Sequence, residues 1–417
     1  MLHTLLFLYE IAFENPKIFS FAVVHISITK HYLPMIYPLE RFKSLDTPFY
    51  YYDLALLRNT LDTIKQIVKD KPNFVVHYAV KANANPRILQ IISQIGFGAD
   101  CVSGGEVQVA AENGFNSSQI VFAGVGKSDK EIRNALTIGI HSFNVESIPE
   151  LEAINEIAMD MNTVANVAFR VNPNVDAHTH AKITTGLNEN KFGIDIADVI
   201  PAIRMANSMQ GVKYIGLHFH IGSQILNLEV YKNLCYKINE IQDSLEECGI
   251  VTQSINVGGG LGIDYDNPEV NPIADFSTYF EIFSEYLQIR SHQQLHFELG
   301  RSIVAQCGSL IARTLYVKQG HTKNFLIVDA GFTDLIRPAM YGSHHFTENI
   351  SVNGDGTMET YDVVGPICES SDVFSSNERL PLTKRGDFIA FRSAGAYGEV
   401  MASTYNCRAL PKAYYNE

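Results

Sequence analysis

The sequence predicts an α/β protein in which a TIM-type (β/α)₈ barrel is joined to a C-terminal antiparallel β domain. From residue 74 onward, β-rich runs alternate with amphipathic helical segments, the rhythm of parallel strands joined by crossover helices. Eight such runs fit into roughly 230 residues, close to the ~250 that this barrel usually needs. After about residue 305 the β-rich runs continue without long helical segments between them.

Six of the eight candidate strands end in glycine, serine or asparagine, and the other two are followed directly by Lys81 or Gly126; these are typical strand-closing residues. In chain order they read NFVVHYAV, GADCVS, IVFAGV, SFNVES, VANVAFRVN, GLHFHIGS, SINVGGGLG and QLHFELG. DLALLRNTLDTIKQIVKD is a helical segment ahead of them, and the segments between them are GGEVQVAAENG, KSDKEIRNALTIG, IPELEAINEIAMDM, IADVIPAIRMANSM, LEVYKNLCYKINEIQDSLEECG and FSTYFEIFSEYLQIR. An open doubly wound sheet is the alternative that this pattern leaves.

The second domain is predicted from four later β-prone runs, SLIARTLYVKQ, NFLIVDAG, METYDVVGP and GDFIAFRSAG. The extended segment PFYYYD, before the first helix, is a candidate further strand. We therefore assign residues 53–304 to the barrel and residues 35–52 and 305–417 to the β domain.

Residues 1–34 stand outside this pattern. Their opening run, MLHTLLFLYEIAF, contains Glu10 and has neither the basic start nor the cleavage site of a signal peptide. It is also too short to span a bilayer. Met35 begins a conventional soluble sequence, so we expect residues 1–34 to reflect an upstream start assignment.

Composition narrows the class of partner. The formal net charge is −13, and no Lys/Arg run forms the basic patch that a nucleic acid or an anionic membrane would need. The six cysteines are scattered without a CxxC pair, which is typical of free thiols in a reducing compartment. We expect a cytoplasmic protein that acts on a small molecule.

YAVKANANP, residues 78–86, carries the first chemical signal. Its apolar half reads as a buried strand, and Lys81 follows at the end where the reactive groups of such barrels collect. A solvated loop lysine is the ordinary interpretation. The functional interpretation is an amine in a partly desolvated mouth, with a lowered pKa that leaves it neutral and able to form a Schiff base.

Two later strands supply a candidate phosphate site and a histidine pair. GGGLG, residues 258–262, follows the seventh strand, where the backbone N–H groups of barrels often bind phosphate; a bare turn is the alternative. In HFHIGSQ, His218 and His220 share one face of a strand. They suggest a metal pair or, more simply, a structural His218 with His220 facing the mouth. The metal interpretation needs further ligands that the strand ends do not offer.

ELGR, residues 298–301, ends the eighth strand. A surface ion pair between Glu298 and Arg301 would contribute little. In a closed mouth, Glu298 would hold a ring nitrogen protonated and Arg301 would bind a carboxylate or phosphate. A Schiff-base lysine, a phosphate loop, a histidine face and this carboxylate together describe a site for pyridoxal 5'-phosphate.

These motifs, with RPAMY, GPICESSD and SAGAYGEVMAS, resemble those of the diaminopimelate decarboxylases, within the ornithine/diaminopimelate/arginine decarboxylase family of alanine-racemase-like fold. The resemblance covers nearly the whole chain from about residue 45. It implies a pyridoxal-phosphate-dependent carboxy-lyase that converts meso-2,6-diaminopimelate to L-lysine and CO₂, the last step of lysine biosynthesis. It also implies a homodimer whose active sites are shared between subunits.

The resemblance assigns roles by motif. Lys81 would form the Schiff base, His220 would stack on the cofactor ring and Glu298 would face its nitrogen. The phosphate would be surrounded by Gly258, Gly259, Gly260, Ser223 and Gly300. The substrate carboxylates would be held by Arg301, Arg337 and Tyr341, and Tyr397 would touch both cofactor and substrate.

Two further roles fall on the partner subunit. Cys368 would donate the proton and Glu369 would bind the distal ammonium group; by itself, Cys368 reads as a buried structural thiol. One departure from the family is Leu299, where the usual tetrad EPGR has proline. Proline would fix φ and remove an N–H, so leucine is expected to loosen that turn slightly.

Two other functions compete with this one. A decarboxylase of the same cofactor class would act on arginine, ornithine or carboxynorspermidine. A non-catalytic cofactor-binding homologue is the alternative from another class, although such a protein has no need to keep Lys81, Cys368, Glu369 and Tyr397 together.

Overall fold

The computed structural model describes residues 35–175, 191–352 and 356–416. The chain divides into two compact units between Lys43 and Ser44. The described part of the first unit is short and contains helix α1, Leu39–Phe42. The prediction made for residues 1–34 lies outside the described residues.

The second unit contains a closed barrel of parallel strands, which confirms the predicted fold class. Each neighbouring pair is parallel, and the last strand closes on the first with Leu299 opposite Tyr78. Closure excludes the open doubly wound sheet. The barrel strands are β2 Phe74–Ala79, β3 Gly98–Cys101, β4 Ile120–Phe122, β5 Ser142–Val145, β6 Ala165–Arg170, β7 Val212–His218, β8 Ser254–Asn256 and β9 Gln294–Leu299.

Helices alternate with these strands, and their ends follow from local sequence. Helix α3 has the usual signals although it is absent from the predicted set: Asn85 accepts a hydrogen bond from the Arg87 N–H, Pro86 opens the first turn, and Gly96 ends the helix in the left-handed region. The helices are α2 Leu54–Val68, α3 Pro86–Ile95, α4 Gly104–Glu112, α5 Asp129–Ile138, α6 Ile148–Asp160, α7 Ile196–Ser208, α8 Glu229–Glu247 and α9 Phe276–Tyr286.

A second sheet of eight strands accompanies the barrel. Its strands are β1 Phe49–Tyr52, β10 Gly308–Gln319, β11 Asn324–Val328, β12 Thr347–Asn349, β13 Met358–Val364, β14 Val373–Pro381, β15 Phe388–Phe391 and β16 Lys412–Tyr415. Two short helices, α10 Arg301–Val304 and α11 Arg337–Tyr341, lie beside it in the chain.

The predicted strand in PFYYYD is confirmed as β1, which pairs antiparallel with β10. The sheet is not wholly antiparallel, because β1 pairs in parallel with β16 and β11 pairs in parallel with β13. β12, β14 and β16 lie outside the predicted runs. β14 is half-exposed and rich in polar residues, so it lacks the apolar signal of a buried strand. The division into residues 53–304 and the flanking β domain stays a prediction.

Hydrogen bonds attach the segment after β2 to the second sheet. The Asn83 side-chain amide donates to Tyr52 Oη at 2.9 Å and to the Gly395 carbonyl at 2.8 Å. The Tyr397 N–H donates to the Ala82 carbonyl at 2.8 Å. These bonds bring the C-terminal segment to the carboxyl end of β2, next to Lys81. Within the described ranges, no helix is long and apolar enough to cross a membrane.

Candidate active site

A cavity at the carboxyl end of the barrel collects residues from strands far apart in the chain. Its predicted lining residues are Lys81, His220, Ser223, Gly260, Glu298, Gly300, Arg301 and Tyr397. Ala79, Asp100 and Leu261 also line it and were not among the predicted residues. The strand ends meet here because parallel barrel strands all point the same way.

Lys81 lies in a single 3₁₀ turn, Val80–Ala82, directly after β2. Its side chain is 36% exposed, and its Nζ lies 3.7 Å from Asp100 Oδ2. Burial favours the neutral amine, but the negative charges of Asp100 and Glu298 outweigh it, so the pKa of Lys81 is raised. The expectation of a lowered pKa is therefore wrong. A proton must leave Lys81 before its amine can attack a carbonyl.

Asp100 is the third of the four residues of β3 and is 1% exposed. Neither of its carboxylate oxygens accepts a hydrogen bond within the described part of the chain. Burial and the nearby charge of Glu298 raise its pKa to about 8, although Lys81 acts in the opposite direction. Above that pH, Asp100 holds Lys81 protonated. Below it, Asp100 loses its charge and Glu298 remains as the counter-ion.

Glu298 is also buried, but donors surround its carboxylate. Asn256 donates to Oε1 at 2.7 Å and Asn144 donates to Oε1 at 3.3 Å, while His218 Nε2 lies 3.0 Å from Oε2. Burial would raise the pKa of Glu298, but the contact with His218 and the charge of Lys81 reverse the shift and hold it well below its usual range. Glu298 is therefore the carboxylate that stays ionised.

His220 lines the cavity, whereas His218 is turned towards Glu298. Burial and the charges of Lys81 and Arg170 lower the pKa of His220 well below its usual range, so its ring is neutral. Among the described residues, no cluster of three or more histidine, cysteine, aspartate or glutamate side chains is placed to hold a metal ion. His218 thus contacts Glu298 while His220 faces the mouth, which is the arrangement that the simpler interpretation of HFHIGSQ expects.

The three glycines after β8 allow close backbone approach. A Cβ on Gly259 would lie 1.8 Å from the Glu298 carbonyl, and one on Gly260, where φ is +101°, would lie 2.5 Å from the Gly222 carbonyl. The Gly258 N–H donates to Asn256 Oδ1, and the Gly259 N–H donates to His220 Nδ1. Of the three, only Gly260 lines the cavity.

Arg301 and Arg337 converge on Tyr265, which sequence reasoning missed. Arg301 donates to Tyr265 Oη at 2.8 Å and to Ser223 Oγ at 2.9 Å, and its guanidinium lies 4.9 Å from the Tyr397 ring centre. The Arg337 guanidinium lies 4.7 Å from the Tyr265 ring centre. Tyr265 gives no signal beyond its position after the glycine run, because aromatic residues in loops are common.

The rest of the predicted substrate site is less enclosed. Arg337 opens α11 and is 4% exposed, and Tyr341, at the end of α11, is partly exposed. Cys368 and Glu369 are exposed and lie outside the cavity lining of their own chain. Glu369 accepts a hydrogen bond from Tyr405 Oη at 2.8 Å. The interpretation of Cys368 as a buried thiol is wrong.

Leu299 is the last residue of β9 and is fully buried. Its side chain packs inside the protein, and the slight loosening of the turn that leucine is expected to cause stays a prediction. The residues on either side keep their places, since Glu298 and Gly300 both line the cavity.

We compared the chain with protein families, curated proteins and solved structures, and the matches are to proteins of the class that this site indicates. Residues 57–305 match the family model described as pyridoxal-dependent decarboxylase, pyridoxal binding domain. Fold and site together define a pyridoxal-dependent decarboxylase.

The chain is 59% identical over 382 residues to a diaminopimelate decarboxylase of Bacteroides thetaiotaomicron, covering 92% of this chain and 98% of that one. The crystal structure of diaminopimelate decarboxylase from Helicobacter pylori complexed with L-lysine is 40% identical, with a TM-score of 0.85, and the match covers 91% of this chain and 94% of that one. The chain belongs to the diaminopimelate decarboxylase family.

A lysine/ornithine decarboxylase from Vibrio vulnificus, complexed with putrescine, shares the fold at 22% identity with a TM-score of 0.78, covering 91% of this chain and 96% of that one. At that identity the likeness concerns the fold alone.

Proposed function

We propose that this enzyme decarboxylates meso-2,6-diaminopimelate to L-lysine and CO₂, the last step of lysine biosynthesis, with pyridoxal 5'-phosphate as cofactor. The observation that carries the proposal is the meeting of Lys81, His220, Glu298 and Arg301 at one cavity in a chain 59% identical to a diaminopimelate decarboxylase.

The residues present fit this cofactor. Gly260 lines the cavity, and its N–H has no hydrogen bond within the described part of the chain. Ser223 and Gly300 line the same space and would help to surround a phosphate. The N–H groups of Gly258 and Gly259 already donate hydrogen bonds to Asn256 and His220. We therefore propose that these two glycines allow the backbone to pack closely and that they do not bind the phosphate.

When bound, pyridoxal phosphate supplies an electron sink for the electrons released by C–C cleavage. We assign Lys81 to covalent attachment of the cofactor. Because the pKa of Lys81 is raised, its amine must first lose a proton to a group at the site. Glu298 would hold a proton on the ring nitrogen, because a carboxylate that stays ionised attracts that N–H. His220, neutral and flat, would stack on the ring.

The substrate is oriented by charge. Arg301 and Arg337, buried around Tyr265, would bind the carboxylate at the end that does not react, and Tyr341 and Tyr397 would complete that contact. Holding this end would fix the position and direction of the carboxylate that reacts.

We assign the final proton to the Sγ of Cys368 and recognition of the distal ammonium group to Glu369, both supplied by a second copy of the chain. Both residues are exposed, and both lie away from the cavity of their own chain. A homodimer with two shared sites would bring them to Lys81 of the partner. We also propose a cytoplasmic location, supported by six free thiols.

A CO₂-release assay tests the activity. Purified protein with pyridoxal phosphate is expected to release CO₂ from meso-diaminopimelate and to form L-lysine, with little release from ornithine or arginine. Release chiefly from ornithine or arginine would replace the substrate assignment. Cofactor binding without release from any diamino acid would identify a non-catalytic homologue.

A mixing experiment tests the shared sites. Cys368→Ala is expected to lower kcat by about 10²–10⁴-fold, the usual range for a lost general acid. When Cys368→Ala and Lys81→Ala chains are mixed in equal amounts, about half of the dimers should contain one chain of each kind. Each mixed dimer has one intact site of two, so about a quarter of wild-type turnover should return. No recovery after verified subunit exchange would place Cys368 in its own chain's site, and unchanged turnover of Cys368→Ala would remove it as the proton donor.

A further inference from the structure

The interior of the barrel carries an unusual polar layer just below the mouth. Asp100, Asn144, His218 and Glu298 come from β3, β5, β7 and β9, which are alternate strands, and none is more than 6% exposed. Alternate strands fill each layer of such a barrel, and branched apolar residues dominate those layers. We call this set the mouth layer. Its polar composition is not needed to pack the barrel.

Hydrogen bonds in this layer converge on Glu298. Among the described residues, His218 is the one donor to Oε2, at 3.0 Å, while Oε1 accepts from Asn256 and Asn144. A carboxylate oxygen can only accept, so Nε2 of His218 carries the proton of this bond. With both oxygens engaged, the Glu298 carboxylate is fixed in direction as well as in charge.

The second ring nitrogen of His218, Nδ1, bears on the role of this side chain. Nδ1 is buried and has no hydrogen-bond partner within the described residues. The hydrogen bond to Glu298 is thus the polar contact that orients this ring. An apolar side chain would fill the same space without burying an unpartnered nitrogen.

We propose that His218 is a positioning residue that acts through Glu298, holding its carboxylate ionised and directed at the ring nitrogen of the bound cofactor. The inference rests on the proposed function, because it needs pyridoxal phosphate in this cavity. His218 lines neither the cavity nor a substrate site. Its effect is confined to the part of the cofactor that Glu298 contacts.

That restriction gives a test independent of turnover. Two probes are titrated into freshly prepared apoprotein: pyridoxal 5'-phosphate and its 1-deaza analogue, in which a C–H replaces the ring nitrogen. The wild-type protein should bind pyridoxal phosphate more tightly than the analogue. His218→Leu should reduce that preference roughly tenfold, the effect of a lost hydrogen bond to a charged group.

Matched variants separate positioning from packing. Glu298→Gln should abolish the preference. His218→Gln, whose amide reaches about as far as Nε2, should restore most of it, whereas His218→Asn, which is shorter, should not. If His218→Leu does not fold by circular dichroism, the Gln and Asn variants carry the test alone.

The outcomes are distinct. Equal weakening of both probes by His218→Leu would assign the residue to packing and overturn the inference. So would an unchanged preference, or a wild-type protein that binds both probes equally. Failure of wild-type protein to bind pyridoxal phosphate at all would overturn the proposed function itself.

Discussion

Two buried polar groups lie in the interior of the same barrel and respond to burial differently. The mouth layer holds an ionised carboxylate, because Asn144, His218 and Asn256 converge on Glu298. A histidine cluster, defined by His77, His141 and His296, lies towards the other end, since His296 precedes Glu298 by two residues on β9. Burial is the largest cause of the lowered pKa of each histidine.

Hydrogen bonds fix the tautomers of this cluster. His77 Nδ1 donates to the Gln119 carbonyl at 3.1 Å, so its Nε2 must accept from His296 Nδ1 at 2.8 Å. Nε2 of His296 is then a buried acceptor without a hydrogen-bond partner within the described residues. The comparison shows that this interior tolerates charge only where donors or counter-charges are supplied.

The largest effect is expected from a substitution at the mouth of the barrel, compared with one in the histidine cluster. Lys81→Ala removes the amine at the mouth, so cofactor should no longer be fixed to the chain by borohydride reduction, as measured by mass spectrometry. We expect turnover to fall by more than about 10³-fold. His141→Gln, in the histidine cluster, should keep the attached cofactor. Attachment that survives in Lys81→Ala would show that another lysine serves the site.

The histidine cluster should make the fold sensitive to acid. Burial lowers the pKa of His77 from 6.5 to about 4, so the unfolded chain binds more protons than the folded chain between these values. Stability is fully present above pH 6.5 and declines as the pH falls towards 4. His77 alone should remove about 2 kcal/mol of unfolding free energy between pH 7 and pH 5.

Denaturant unfolding at the two pH values checks this expectation. His77→Phe should flatten the pH dependence by about that amount. His321→Phe, at an exposed position, is the matched control and should leave it unchanged. An identical pH dependence in wild type and His77→Phe would contradict the assignment of acid sensitivity to this cluster.

A smaller effect concerns the counter-charge of Lys81. Above pH 8 Asp100 is ionised 3.7 Å from Nζ, so Asp100→Asn should lower the pKa of Lys81 by at least about one unit. The pH dependence of acylation of Lys81 in the apoprotein, followed by peptide mass spectrometry, measures that shift. An unmoved profile would mean that Glu298 alone sets the charge of this lysine.

Much of the fold was predictable because it depends on local periodicity. The eight barrel strands, the helices with clear caps and the strand in PFYYYD follow from apolar runs closed by turn residues. β12, β14 and β16 were not predictable in this way. β12 and β16 are only three and four residues long, and β14 is half-exposed. All three strands are stabilised by pairing with strands distant in sequence.

The candidate site was predictable where a motif ends a strand. Lys81, His220, Glu298 and Arg301 were recognised in this way, and the cavity brings them together. Asp100 lies one residue before the end of β3, and a single aspartate inside GADCVS carries no motif. Tyr265 was missed because its role depends on contacts with Arg301 of α10 and Arg337 of α11, which are distant from it in the chain.

The sequence alone determined the order of strands and helices, the end of the barrel at which reactive groups lie, and the family of the chain, because these depend on patterns along one segment. The tertiary structure decided the charge of each group. Burial without hydrogen-bond donors raises the pKa of Asp100, whereas His218 and Lys81 lower the pKa of Glu298. Lys81 is held protonated, where the functional interpretation of YAVKAN expected a neutral amine. Charge depends on which atoms surround a group, and those atoms come from strands up to about 200 residues apart in the chain.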